Sequence, residues 1–334
     1  MRFSNMKTTI YEITEQTIDK AVSLLNASEV VAIPTETVYG LGAVGTDSEA
    51  VKKIYQIKGR PSDNPLIAHV HKDYDITRLV YIEQDYVDKL IKAFTPGPLT
   101  MVFRSKGVVC KEAVGGGETL AIRFPLHKDC QRLLKALDKP VVAPSANLSK
   151  HTSPVTAMHV YNDLNGKLEM ILDGGKCSGG IESTVLDCTA TVPRILRAGL
   201  ITKEMIESVV GACEIAEHKE SDKVRSPGVK YKHYRPKCET ALYEENQIDL
   251  ASIRYDKESG QGKKAYIMCA DKLANAFKGK NLLLLGKTEE QIAFNLYDKL
   301  LEGEKIADII IAIAMPDEKN INLGIMNRMR KSCE

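Results

Sequence analysis

The sequence predicts two α/β domains, a larger mixed domain followed by a small doubly wound one. Strand-like apolar runs alternate with amphipathic helical patterns as far as about residue 210. After Cys213 this pattern gives way to a stretch with charges, Pro and Gly but no apolar period, and a strand–helix–strand–helix–strand series follows. A chain of 334 residues also exceeds the usual size of one hydrophobic core. We therefore predict domains at 1–212 and 240–334, joined by a linker at 213–239.

In the first domain, strands are predicted where short apolar runs are rich in β-branched residues. These runs are VVAIPT (30–35), PLIAHV (65–70), LTMVF (99–103), TLAIRFP (119–125), PVVAPSA (140–146), MILDGG (170–175) and STVLDC (183–188). Helices are predicted where apolar residues recur at helical spacing. These segments are 14–28, 47–59, 84–94, 128–138, 156–164 and 202–210. The mixture indicates an α/β or α+β domain.

In the second domain, the same patterns predict a βαβαβ series, which is typical of a doubly wound, Rossmann-like domain. Its strands are KKAYIMCA (263–270), NLLLLG (281–286) and ADIIIAIAM (307–315), and its helices are 271–277 and 288–303. Thr288, with Gln291 three residues later, predicts a capping box at the start of the second helix.

Composition places the chain among ordinary globular proteins. Hydrophobic residues make up 43% and charged residues 27%, and the net charge of +2 provides no strong global field for holding nucleic acid. None of the eight cysteines forms a C-x-x-C pair, so they are predicted to be reduced thiols. The first residues lack the apolar core of a signal peptide, and the longest apolar run, Ile309 to Met315, is too short to span a bilayer. We expect a cytoplasmic protein.

Two motifs resemble nucleotide-binding loops but lack the context that those loops need. Gly40, Gly42 and Gly45 match G-x-G-x-x-G, yet the turn lies several residues beyond the preceding strand, so we interpret them as glycines that relieve a tight loop. Residues 281–288 resemble a phosphate loop, but Asn281 replaces its first Gly and the leucines belong to a buried strand. We predict a strand and a helix cap there.

Polar residues recur in the otherwise apolar first domain, at strand ends where α/β folds usually bind ligands. They occur in the motifs PTETVYGLG (34–42), KGRP (58–61), NPL (64–66), PGP (96–98), SAN (145–147) and ESTV (182–185). Lys58, Arg60 and Arg197 are suited to binding phosphate oxygens. Arg123 lies mid-strand among apolar residues, so an inward side chain needs an anionic partner, and a substrate carboxylate is the expected one.

With these motifs in this order, the sequence resembles the threonylcarbamoyl-AMP synthases that share the YrdC-like domain, in the longer form with an extra C-terminal domain. The resemblance implies a YrdC-like twisted mixed sheet with helices, followed by the smaller Rossmann-like domain. It also implies a nucleotidyltransferase that makes threonylcarbamoyl-AMP and pyrophosphate from L-threonine, bicarbonate and ATP, for threonylcarbamoyladenosine modification of tRNA. Magnesium would accompany ATP, with unknown protein ligands, and a tRNA-modifying transferase complex would use the product.

The resemblance also implies roles for individual residues. The positions that correspond to L-threonine contacts are Thr37, His69, Arg123, Ala143 and Ser183. Those that correspond to ATP contacts are Arg60, Asn64, Thr119, Ser145, Asn147, Ser153, Arg197, Tyr231 and Tyr234, the two tyrosines belonging to a linker that folds over the nucleotide. Lys58 and Arg60 are expected to act in catalysis by neutralising phosphate charge.

Other interpretations remain open at this stage. Residues 223–237 carry six Lys or Arg and two Tyr, which is also typical of a nucleic-acid-binding segment. The second domain could be a docking module with Arg328 and Arg330 as a basic tail, or could merely stabilise the enzyme. Taken singly, Thr37 could cap a helix and Arg123 could belong to a structural ion pair.

Overall fold

A mixed sheet of twelve strands forms the centre of the first domain in the computed structural model, which describes residues 6–216 and 234–333. The strands are β1 (Thr9–Glu12), β2 (Val31–Ile33), β3 (Gly40–Val44), β4 (Ile67–His69), β5 (Val80–Tyr81), β6 (Leu99–Ser105), β7 (Thr119–Arg123), β8 (Val141–Val142), β9 (Met170–Asp173), β10 (Thr184–Asp187), β11 (Arg194–Arg197) and β12 (Glu214–Ile215). Their order is β1-β9-β2-β3-β8-β4-β7-β6-β10-β11-β12, and β5 pairs with β6. Parallel and antiparallel pairs both occur, which confirms the predicted mixed fold.

The helices of this domain follow the predicted segments closely. They are α1 (Glu15–Asn26), α2 (Ser48–Lys58), α3 (Val87–Phe94), α4 (Lys128–Leu137), α5 (Ala157–Leu164) and α6 (Lys203–Val210). The Asp47 side chain caps the start of α2 by accepting from the backbone N–H groups of Glu49 and Ala50. Gly59 ends the helix at a φ of 59°, a left-handed conformation that glycine adopts at little cost. This turn places Lys58 on the helix and Arg60 on the loop that follows it.

Gly40 and Gly42 have a different role from the one that we predicted, whereas Gly45 lies in the turn after β3. Gly40 and Gly42 lie in the buried strand β3, between β2 and β8, and not in a loop. A Cβ atom on Gly42 would lie 2.9 Å from Cγ1 of Val141, and one on Gly40 would lie 3.1 Å from Cβ of Ala143. The glycines are therefore needed because neighbouring strands approach closely, which a sequence motif alone does not reveal.

The second domain contains a parallel sheet in the order β13-β16-β14-β15. Its strands are β13 (Glu239–Tyr243), β14 (Ala265–Cys269), β15 (Leu282–Leu284) and β16 (Ile309–Ile313), and its helices are α7 (Ile248–Gly260), α8 (Glu289–Ile306) and α9 (Asn320–Cys333). The parallel sheet confirms the predicted Rossmann-like architecture. The sequence did not predict β13, α7 or α9, and the segment Asp271–Phe277 forms a 3₁₀ helix.

The failure to predict α7 has a visible cause, and one further difference concerns the start of α8. Helix α7 exposes Leu250 and Ile253, which obscures its apolar period. At the start of α8, Thr288 accepts from the Gln291 backbone N–H, but the Gln291 side chain accepts from Lys287 and not from Thr288. Only half of the predicted capping box is present.

The two domains meet through closely packed backbone. A Cβ atom on Gly180 would overlap the Ala293 carbonyl oxygen and Cα of Phe294 in α8. A Cβ atom on Gly324 in α9 would lie 3.2 Å from Cα of Gly199. These contacts bring α8 and α9 against the β10–β11 side of the first sheet.

The predicted linker at 213–239 is only partly described. Glu214 and Ile215 form β12 at the edge of the first sheet, and Glu239 begins β13 of the second. Residues 217–233, which include Tyr231 and most of the cationic segment, lie outside the described residues. Within the described residues, no helix is long and apolar enough to cross a membrane.

Candidate active site

A cleft lined mainly by polar and charged residues lies in the first domain beside the ends of several strands. Most of the predicted site residues line it, namely Thr37, Lys58, Arg60, His69, Arg123, Ala143, Ser145, Asn147, Ser153, Ser183, Arg197 and Tyr234. Asn64 is buried beside it and Thr119 begins β7, and neither lines the cleft. Tyr231 lies outside the described residues.

The loop after β2 presents a hydrogen-bond acceptor to the cleft. Thr35 Oγ1 lies 2.7 Å from the Val38 carbonyl oxygen and 3.0 Å from Thr37 Oγ1. Because a carbonyl can only accept, the Thr35 hydroxyl donates to Val38, and the Thr37 hydroxyl must donate to Thr35. The lone pairs of Thr37 Oγ1 remain available to accept from a ligand.

Arg123 is buried beside Glu36, and the Nη2–Oε1 distance between them is 2.8 Å. Glu36 therefore balances the charge of Arg123, whereas we had expected a substrate carboxylate to do so. The other oxygen of Glu36 accepts from the Leu126 N–H at 2.9 Å. The Nη2–Oε1 contact is poorly aligned for a hydrogen bond, and Arg123 Nε has no acceptor among the described residues. The guanidinium therefore has donor capacity left for a ligand carboxylate.

His69 is neutral and presents one acceptor nitrogen. Its Nδ1 lies 3.1 Å from the Ile67 carbonyl oxygen, so Nδ1 carries the proton and Nε2 carries the lone pair. Burial, followed by the nearby charge of Arg123, lowers the pKa of His69 to about 3. The imidazole thus stays neutral beside the guanidinium at any ordinary pH.

Lys58 anchors the Ser145–Asn147 loop, which follows β8. Its Nζ donates to the backbone carbonyls of Ser145 and Asn147. Burial, followed by the charge of Arg60, holds the pKa of Lys58 well below its usual value. An anionic ligand nearby would reverse this effect by stabilising the ammonium form.

Arg60 holds the neighbouring Asn64–Pro65 turn. Its Nε and Nη2 donate to the carbonyl oxygens of Asn64 and Pro65 at 3.3 and 3.1 Å. Thus Asn64 supports the wall of the cleft through its backbone, although its side chain does not line the cleft.

Ser183 and Arg197 also line the cleft. Arg197 Nη2 donates to the Ser183 carbonyl oxygen at 2.9 Å and to Ser183 Oγ at 3.1 Å. Ser183 Oγ also lies 2.8 Å from Thr100 Oγ1. Both residues come from adjoining strands, since Ser183 precedes β10 and Arg197 ends the paired strand β11. The sheet therefore fixes a serine hydroxyl and a buried cation at one position.

This chain is similar along most of its length to curated and solved proteins. Residues 23–199 match a family model described as "Telomere recombination", for Sua5, YciO and YrdC proteins, and residues 201–333 match one described as "Threonylcarbamoyl-AMP synthase, C-terminal domain". The threonylcarbamoyl-AMP synthase of Pyrococcus abyssi is 38% identical over 332 residues, which are 96% of this chain and 95% of that protein. That of Bacillus subtilis is 40% identical over 321 residues, which are 94% of this chain and 92% of that protein.

The chain belongs to the threonylcarbamoyl-AMP synthase family. The fold agrees, because the crystal structure of Pyrococcus abyssi Sua5 complexed with L-threonine matches 99% of this chain and 98% of that one, with a TM-score of 0.88 at 36% identity. The family that the motifs suggested is therefore confirmed, and so is the longer two-domain form.

In this member of the threonylcarbamoyl-AMP synthase family, the described end of the linker closes one side of the cleft. Tyr234 is buried in a left-handed conformation with a φ of 72°, and its carbonyl oxygen accepts from Thr152 Oγ1 at 3.1 Å. Its ring stacks on Tyr297 of α8, with the centroids 5.4 Å apart. Tyr234 therefore touches both domains where the linker enters the second one.

Sequence reasoning missed a buried carboxylate next to this contact. Glu182 accepts from Ser153 Oγ at 2.7 Å, from the Tyr297 hydroxyl at 2.8 Å and from Arg328 Nε at 3.1 Å. Arg328 is fully buried, so its expected role in a basic tail is wrong, and Arg330 forms ion pairs with Glu244 and Glu318. The sequence signals for this ion pair were Glu182, which begins the ESTV motif, and Arg328, which lies among apolar residues of α9.

The described residues do not provide a protein-held metal site. Residues 6–216 and 234–333 contain no cluster of three or more His, Cys, Asp or Glu side chains that could hold a metal ion. Glu182 is the one carboxylate among the cleft-lining residues described, and Arg328 neutralises it. The described part of the cleft therefore offers no set of carboxylates that could hold Mg²⁺ by itself.

Proposed function

We propose that this cleft joins L-threonine, bicarbonate and ATP into threonylcarbamoyl-AMP, with release of pyrophosphate. Membership of the threonylcarbamoyl-AMP synthase family supports the reaction, and the L-threonine in the solved Pyrococcus abyssi relative supports the amino-acid substrate. The observation that carries the proposal is one cleft in which the Arg123 guanidinium, whose Nε has no acceptor among the described residues, lies with the acceptors Thr37 and His69.

The amino acid would bind through this trio. The fork of Arg123 matches a carboxylate, while the lone pairs of Thr37 Oγ1 and His69 Nε2 accept from the threonine amine or hydroxyl. Neutral His69 suits this task, because an imidazolium would repel an ammonium group. Ala143, buried beside the trio, leaves space for the side chain of the substrate.

Two chemical steps then follow. The neutral amine attacks the carbon of bicarbonate, a C–N bond forms and water leaves, giving a carbamate. A carbamate oxygen attacks the α-phosphorus of ATP, and the bond to the β-phosphate oxygen breaks as pyrophosphate departs. The protein supplies no nucleophile; it positions the reactants and neutralises their charge.

The nucleotide would bind in the same cleft. Ser145, Asn147, Ser153 and Arg197 line it, and Lys58 and Arg60 hold two of its loops. Phosphate oxygens would draw Lys58 into its charged form, so that Lys58 and Arg60 offset charge developing on the α-phosphate. Magnesium would enter as MgATP. Tyr231 and Tyr234 of the linker would cover the nucleotide and keep water from the mixed anhydride.

The product is a labile anhydride, so we propose that a tRNA-modifying transferase complex consumes it for threonylcarbamoyladenosine formation next to the anticodon. Cytoplasmic location fits the eight free cysteines. A weak contact with tRNA remains a prediction, since residues 223–233 lie outside the described residues. In the described end of that segment, Lys237 approaches Asp163 and Glu304 to within 4.0 Å, which reduces its availability for RNA.

The test mixes purified protein with α-labelled ATP, L-threonine, bicarbonate and magnesium, and follows pyrophosphate together with labelled AMP adducts. We expect both products only when threonine and bicarbonate are present together. The proposed reaction is rejected if pyrophosphate is still released when threonine or bicarbonate is omitted, or if ATP stays intact in every mixture. EDTA in a parallel reaction tests the requirement for MgATP.

A further inference from the structure

A buried charge network links the second domain to the cleft. Glu182 is 7% exposed and Arg328 is 0% exposed. One oxygen of Glu182 accepts from Ser153, and the other accepts from Tyr297 and Arg328. Ser153 and Glu182 line the cleft, whereas Tyr297 and Arg328 come from α8 and α9 of the second domain.

Arg328 is held rigidly at this position. Its Nη1 donates to the carbonyl oxygen of Ala198, after β11, and to that of Gly324 in its own helix, the latter at 3.2 Å. Gly324 packs directly on Gly199, so α9 lies against the chain that follows Arg197. Among the described residues, Glu182 is the one carboxylate within ion-pair distance of Arg328.

The electrostatic consequence concerns ATP. Burial alone would raise the pKa of Glu182, but Arg328 and then Arg197 lower it to about 2, so this carboxylate is an anion beside the cleft. Without Arg328, Arg197, the cation predicted to meet phosphate, would be the main charge among the described residues that balances Glu182. The carboxylate would then compete with ATP for Arg197 and repel the phosphates.

We propose that Arg328 of the second domain is a positioning residue for ATP, because it neutralises Glu182 and thereby reduces the negative charge that the phosphates would meet at the cleft. The second domain thus contributes to substrate binding without touching the substrate. This inference rests on the proposed function, since it assumes that ATP binds beside Ser153 and Arg197.

The test compares Arg328→Met with Arg330→Met, a matched control on the same helix whose ion pairs are exposed. Calorimetric titration measures binding of a non-hydrolysable ATP analogue and of L-threonine separately. For Arg328→Met we expect roughly tenfold or greater loss of affinity for the ATP analogue, the effect of one uncompensated charge near phosphate. L-Threonine affinity should change by less than about threefold, and Arg330→Met should stay within about twofold for both ligands.

A charge-balanced double variant separates electrostatics from packing. Glu182→Gln combined with Arg328→Met removes both charges, so we expect it to recover much of the affinity for the ATP analogue. If the double variant binds no better than Arg328→Met, Arg328 acts by packing alone and the inference is wrong. Equal losses of affinity for both ligands, in step with a lowered melting temperature, would also show that Arg328 acts by packing alone.

Two further outcomes are decisive. If Arg328→Met does not fold, Arg328→Gln replaces it, because its amide can donate to Glu182 while the positive charge is removed. We expect that variant to lose roughly tenfold in affinity for the ATP analogue with threonine affinity unchanged, and an affinity for the ATP analogue equal to that of the wild type would overturn the inference. Failure of the wild-type protein to consume ATP with threonine and bicarbonate rejects the proposed function; an active wild type with an unaffected Arg328→Met rejects only the role of Arg328.

Discussion

Replacing Arg123 by lysine should weaken L-threonine binding without unfolding the protein. Lysine keeps a positive charge beside Glu36, whose Oε1 lies 2.8 Å from the guanidinium. It presents only one nitrogen, however, so it cannot both contact Glu36 and reproduce the Nε–H of Arg123, which lacks an acceptor among the described residues. Loss of one hydrogen bond to a charged group costs about 1.5–3 kcal/mol, which corresponds to roughly 10- to 150-fold in affinity.

Calorimetric titration of the free protein with L-threonine measures this loss directly. Arg132→Lys is a matched control, because Arg132 forms ion pairs with Glu15 and Asp129 on the exposed side of α4 and should affect threonine affinity by less than about twofold. Binding of an ATP analogue should be unchanged in both variants. The reasoning is refuted if folded Arg123→Lys binds threonine within about threefold of the wild type, or if it loses both ligands equally.

Two other predictions concern stability. Gly180→Ala and Gly175→Ala both place a side chain at a positive φ, 75° and 78°, at a shared cost of about 1–2 kcal/mol, but only the first drives a Cβ atom into α8. Urea unfolding should therefore show a further loss of about 1–3 kcal/mol for Gly180→Ala, and equal losses would mean that the domains are not closely packed there. His69→Asn should reduce the dependence of stability on pH. Between about pH 6.5 and about pH 3, His69 binds a proton in the unfolded chain but not in the folded protein. His69 therefore lowers the free energy of unfolding by about 1.4 kcal/mol for each unit that pH falls in this range, and the variant should lack this contribution. An unchanged slope would show that folded His69 is protonated.

Local patterns in the sequence were sufficient to predict the helices and strands that hold the cleft. The cap at Asp47 and the glycine at 59 delimit α2, because capping and a left-handed C-terminal turn depend on residues next to the helix. The order of the polar motifs was sufficient to identify the family. The motif order also predicted most of the residues that line the cleft, because the ends of strands in one sheet lie close together. Their individual roles remain predictions.

Pairings between distant parts of the chain could not be predicted in this way. Arg123 was correctly judged to need an anionic partner, but only the tertiary structure identifies Glu36, and only it shows Gly42 between adjacent strands rather than in a loop. Arg328 seemed to belong to a solvated tail because arginine is usually exposed. It is buried because Glu182, 146 residues earlier in the chain, lies beside it in the fold. Capping and periodicity act over a few residues, whereas charge compensation in a core is decided by which segments the fold brings together.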